Sequence, residues 1–107
     1  MLTPGMKEDM NRRLRAALEA VEDEQSFTQF LLALAADWET EQEIDSVQAS
    51  SPYSSGTLGW ENGTIGTFLD AACRWGSASA KGLRFYQVPE NPWRRVADII
   101  FAGKGYE

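Results

Sequence analysis

Residues 26–44, SFTQFLLALAADWETEQEI, decide the fold class. Phe27, Phe30, Leu31, Leu34, Ala35 and Trp38 recur at spacings of three and four, the period of a helix with one apolar face. Ser26 followed three residues later by Gln29 reads as a capping box, and neither Gly nor Pro interrupts the run as far as Ile44. A helix is therefore predicted from Ser26 to about Gln42 or Ile44. Its second half is acidic: Asp37, Glu39, Glu41 and Glu43, with Asp45 just beyond. Asp37 and Glu41 lie four apart, as do Glu39 and Glu43, so like charges face one another along the helix. They also crowd its C-terminal end, where the backbone dipole disfavours anions. No Lys or Arg within the helix relieves them, which invites a functional reason for the cluster.

Working outward, residues 4–22 form a second amphipathic pattern. Thr3 can cap it, Pro4 suits the first turn, and Met6, Met10, Leu14, Ala17, Leu18 and Val21 trace its stripe. From Asp45 to Gly59, Ser, Gly and Pro dominate, the composition of a long loop or insert. Trp60-Glu61-Asn62-Gly63 leads into a helix capped by Asn62 or Thr64, with Ile65, Phe68, Leu69, Ala72 and Trp75 or Gly76 as its predicted buried face. Trp60 reads as a hydrophobic staple against Phe68 or Ile65. After a connector, in which Leu83–Val88 is open to an extended form, Asn91-Pro92 starts a fourth helix. Trp93, Val96, Ala97, Ile100 and Phe101 give it a core face, and Gly103 and Gly105 end it. The expectation is one all-α domain spanning residues 1–107: a small bundle of about four helices with a long Ser/Gly-rich loop between helices 2 and 3. Phe27, Phe30, Leu34, Trp38, Phe68, Leu69, Trp75, Trp93 and Phe101 are the predicted core.

Charge is partitioned along the chain. Between Arg15 and Arg74 there are eleven carboxylates and no Lys or Arg, so the net −6 is −11 in the middle and +5 in the flanks. Such a field favours a cationic partner and disfavours nucleic acid on the acidic face. Histidine is absent, which removes Ser-His and Cys-His nucleophilic systems and the commonest general base. The single cysteine, Cys73, cannot form an internal disulfide and is expected to pack inertly beside Ala72 and Trp75. With no apolar run long enough to cross a membrane and no signal-peptide core at Met1–Gly5, a cytoplasmic protein without membrane partners is expected.

The combination of Phe27, Phe30, Leu31, Leu34 and Asp37 with Trp60-Glu61-Asn62, Phe68-Leu69, Ala71-Ala72 and Trp75, followed by Pro89, Pro92-Trp93, Ala97-Asp98-Ile99-Ile100 and Tyr106-Glu107, resembles a small bacterial family with no assigned function. The resemblance spans roughly Ser26 to Glu107. It implies a helical fold and a bacterial origin, and it implies no activity. In character such small acidic proteins are similar to immunity proteins that neutralise toxins.

Three functions are open on these residues. The leading one is a non-enzymatic, cofactor-free protein-binding module, an immunity- or antitoxin-like inhibitor. It would present Asp37, Glu39, Glu41, Glu43, Asp45, Tyr53 and Glu61 to a partner with a basic surface, such as a toxin. The second is a metal-dependent hydrolase built on Asp37, Glu41 and Glu61. The third is a scaffold or oligomerising subunit docking through the Met-rich first helix. At the other pole, Lys81, Arg84, Phe85, Tyr86, Arg94 and Arg95 combine cations with aromatic rings; Arg94 and Arg95 are expected to pair with the acidic middle, each pair contributing about 0–1 kcal/mol.

Overall fold

The computed structural model describes residues 4–47 and 58–107. Four helices follow one another: α1 (Pro4–Glu19), α2 (Glu24–Val47), α3 (Ile65–Ala80) and α4 (Pro92–Ala102). Among the described residues there is no strand, and the fold is the small all-α bundle expected. The described part of the α2–α3 connection begins at Leu58; most of the Ser/Gly-rich stretch, Tyr53 included, lies outside the described residues.

The helix starts show how local chemistry sets the boundaries. α2 begins earlier than Ser26. Asp23 is the cap: its Oδ1 accepts from the Ser26 N–H at 2.8 Å, and Ser26 Oγ accepts in return from the Asp23 N–H at 3.0 Å. Ser26 is thus the third-position partner in a reciprocal box, not the cap itself. A carboxylate at that point also meets the positive end of the helix dipole. The bonds from the Ser26 backbone and hydroxyl hold the Asp23 carboxyl below its ordinary range. α3 is capped by Thr64, whose Oγ1 accepts from Thr67 N while Thr67 Oγ1 accepts from Thr64 N. In α4, Asn91 Oδ1 accepts from Trp93 N at 2.9 Å; Asn91 Nδ2 also donates to Glu22 O, tying this start to the α1–α2 link.

α4 organises the bundle. It packs against α1, α2 and α3; α1 packs on α2; α2 and α3 do not meet. Leu14, Leu18, Val21, Phe30, Leu34 and Ala97 form the buried core, joined by Leu58 and Trp60 from the connection. Trp60 stacks on Phe68 with ring centroids 6.0 Å apart, as expected of the staple. Phe27, Phe68 and Phe101 pack at the edge of this cluster.

Three predicted core residues belong instead to the surface: Trp38, Leu69 and Trp93 are all exposed, as are Ile65 and Val96. For Trp38, Ile65 and Leu69 the cause is that α3 has α4, and not α2, as its helical neighbour. It turns Ala71, Ala72 and Ser79 inward. Small side chains there let the helices come close: the Gly76 position is 3.6 Å from Ile99 Cδ1 for an added Cβ, and at Gly103 such an atom would sit 2.9 Å from Phe68 O. The large apolar side chains Ile65 and Leu69 are left facing the gap beside α2. Cys73 is likewise exposed, not packed.

Candidate functional site

The acidic half of α2 is divided by the helical period into an inner and an outer set. Asp37 and Glu41, one turn apart, are 1 % and 2 % exposed. Asp37 Oδ2 accepts from Lys104 Nζ and from Trp60 Nε1, both at 2.8 Å. Glu41 Oε1 accepts from the backbone N–H groups of Leu58 at 2.9 Å and Trp60 at 3.2 Å. These two acids therefore do not present charge to a partner, and the expectation that they do is corrected. They fasten the connection and the C-terminal tail to α2, where burial makes an unmatched carboxylate costly. Asn62 completes the fastening by donating to Gly103 O at 3.0 Å and Tyr106 O at 3.1 Å. The Glu61 N–H donates to Lys104 O at 3.0 Å.

Burial holds the Glu41 carboxyl above its ordinary range, against the opposing bonds from Trp60 and Leu58. A raised acid pKa means that the folded chain binds a proton which the unfolded chain releases at the same pH. Its contribution to stability is accordingly greatest below the ordinary carboxylate pKa and declines as pH climbs through the raised value. Glu41→Gln keeps the carbonyl acceptor without the charge. Urea unfolding between about pH 4.5 and 7 is expected to show stability of the wild type falling relative to the variant as pH rises; parallel profiles would contradict this.

The outer set is Glu39 and Glu43, both exposed and one turn apart, with Glu61 exposed next to Trp60. Among the described residues none of these three has a cation within ion-pair distance. Asp45 is half-buried at the same end of α2. Because α2 and α3 stand apart, an apolar groove opens between them with Glu39 on its wall; Glu43 follows one turn along α2, and Glu61 follows Trp60 in the chain. One part, ≈ 410 Å³, is lined by Leu31, Ala35, Trp38 and Glu39 from α2 and by Leu69 from α3, over Trp60 and Phe68. A contiguous part of ≈ 290 Å³ shares Trp38, Trp60, Phe68 and Leu69 and extends to Ile65.

Periodicity alone missed this groove, because it assigned Trp38, Ile65 and Leu69 to the interior. The signal was present in α2, where Leu31 beside Phe30 and Leu34 widens the apolar surface. Lys104 was also missed; a lone lysine between two glycines has no periodic context.

The metal hydrolase has no support in this geometry. Asp37 and Glu41 are committed inside while Glu61 is outside, and no group of three His, Cys, Asp or Glu among the described residues is placed to hold a metal ion. Arg94 and Arg95 are satisfied locally, not by the acidic middle. Arg94 Nε pairs with Asp98 Oδ1 at 2.9 Å, and Asp98 Oδ2 accepts from Tyr86 OH at 2.7 Å. Arg95 donates to Ser79 Oγ and Gly76 O and lies over the rings of Trp75 and Tyr86. Lys81 and Arg84 are exposed.

Residues 23–107 match the family of unknown function DUF7660, and the chain belongs to that family. The match begins after α1. No curated protein and no solved structure matches the chain. No helix among the described residues is long and apolar enough to cross a membrane.

Proposed function

We propose that this DUF7660 member is a binding protein and not an enzyme, and that it captures a protein segment with an apolar ridge flanked by Lys or Arg. The apolar side chains enter the α2/α3 groove, over Trp60 and Phe68, while the cations meet Glu39, Glu43 and Glu61. The observation that carries this reading is the separation of α2 from α3, which leaves Leu31, Trp38, Ile65 and Leu69 exposed with Glu39 on the groove wall, while none of Glu39, Glu43 and Glu61 has a cation within ion-pair distance among the described residues. An amphipathic helix laid in a hydrophobic groove is a recurring recognition mode, and complementary charge at its rim speeds and orients encounter. Capture of this kind is how an immunity- or antitoxin-like inhibitor acts, by covering a basic surface without turnover.

Two synthetic amphipathic helical peptides with the same leucine face, one bearing lysines and the other glutamates, test it by calorimetric titration. The lysine peptide is expected to bind with an affinity that falls as salt is added, and the glutamate peptide to bind far more weakly. Combining Glu39→Gln, Glu43→Gln and Glu61→Gln should weaken the lysine peptide about tenfold, from roughly 0.2–1 kcal/mol per exposed pair, and flatten its salt dependence. Ile65→Asp with Leu69→Asp, both at exposed positions, should abolish binding. Undiminished binding by that double variant would remove the groove from the function.

A further inference from the structure

We propose that a second cleft, between α1 and the C-terminal end of α4, binds a small organic anion with an aromatic body. The cleft encloses ≈ 570 Å³ and shares no residue with the α2/α3 groove. That volume falls in the ordinary range for small-molecule sites.

Its electrostatics run against those of the chain. The lining contains Lys7, Arg15, Arg94 and Lys104 but a single carboxylate, Asp98. Both Asp98 oxygens are occupied, one by Arg94 and one by Tyr86. Lys104 is held by Asp37. Lys7 and Arg15 have no carboxylate within ion-pair distance among the described residues. A protein of net charge −6 thus keeps a cationic recess. The origin is topological: α1 packs on α4, so the two basic flanks of the sequence converge.

The geometry selects the rest of the ligand. Lys7, Asn11, Arg15 and Leu18 all line the cleft, and their spacing of four, four and three places them along one face of α1. The Arg15 guanidinium stands 5.6 Å from the centre of the Phe101 ring. Stacked in this way, a guanidinium keeps its N–H edge free to fork onto a carboxylate or phosphate. Trp75, Tyr86 and Tyr106 add aromatic walls. A flat ring against those walls, with its oxyanion toward Arg15 and Lys7, satisfies both parts of the lining. The α1 side of the cleft precedes the residues matched by the family, so this site is composite: an N-terminal helix laid over a family core.

Amide-resolved NMR titration of the full chain tests the proposal with four probes: benzoate, phenyl phosphate, inorganic phosphate and neutral benzyl alcohol. At least one aromatic anion should produce saturable shifts at Arg15, Phe101 and Tyr106, and the tighter of the two shows whether the oxyanion is carboxylate or phosphate. Benzyl alcohol and inorganic phosphate should each bind at least about tenfold more weakly, since each lacks half of the recognition. Arg15→Gln, at an exposed position, should weaken the anion by about tenfold and leave benzyl alcohol unchanged. Anions no tighter than benzyl alcohol, no saturable shift with either anion, insensitivity to Arg15→Gln, or shifts confined to Trp38 and Leu69 would each overturn it. The last of these outcomes would leave the peptide-binding groove intact, so the two sites are tested separately.

Discussion

Replacing Lys104 with methionine is expected to lower the unfolding free energy by about 3–5 kcal/mol, the usual loss when one partner of a buried ion pair is removed. Asp37 is 1 % exposed, and its Oδ1 already has no hydrogen-bond partner among the described residues. Without Lys104 its Oδ2 keeps only the Trp60 indole, and a buried carboxylate with no cation beside it is costly. Against a total stability of about 5–15 kcal/mol, that loss is severe. The double variant Asp37→Asn with Lys104→Met should recover at least half of it, because the asparagine carbonyl still accepts from Trp60 and no charge remains unmatched. Denaturant midpoints at constant m-value provide the measurement. A loss below about 1 kcal/mol for the single variant would mean that the pair behaves as an exposed one.

Trp60 carries the second large effect. Trp60→Ala is expected to cost about 3–5 kcal/mol, as for other buried aromatic truncations. The indole forms the floor of the groove between α2 and α3, stacks on Phe68, donates to Asp37, and lies 5.7 Å from the Lys104 ammonium. Trp60→Phe keeps a ring but removes the donor, and should cost about 1–3 kcal/mol. Equal losses in the two variants would place the energy in the hydrogen bond and not in the packing. The alanine variant should also abolish binding in the groove, whose two parts both rest on Trp60.

The candidate site was only half legible. Glu39, Glu43 and Glu61 do stand outside, whereas Asp37 and Glu41 are structural and Tyr53 lies beyond the described residues. Four acids at alternate positions from residue 37 to 43 look alike in one dimension. At 3.6 residues per turn, two of them rotate toward the tail and two away from it. Which two depends on where Trp60 and Lys104 arrive, from 19 or more residues away in the chain. The closeness of the acidic run to a cation was foreseeable from the charge partition, but its identity was not: the neutralising partner is Lys104, while Arg94 and Arg95 turn to Asp98 and Ser79.

What the residues settle on their own is local: four helices, the Asn91 cap, the choice of Asn62 or Thr64 at the start of α3, the apolar stripe of α1, and the separation of charge into an acidic middle and basic flanks. These arise from hydrogen-bonding groups and periodicities within a few residues, and distant contacts do not alter them. Packing decided which of the predicted apolar faces were covered: Leu14, Leu18, Phe30 and Leu34 were, whereas Trp38 and Leu69 were not. α3 found α4 and not α2, so Ala71, Ala72 and Ser79 went inward while Ile65 and Leu69 were left uncovered. Burial depends on the neighbour that supplies the opposing surface, and that neighbour is chosen by the packing of the whole chain.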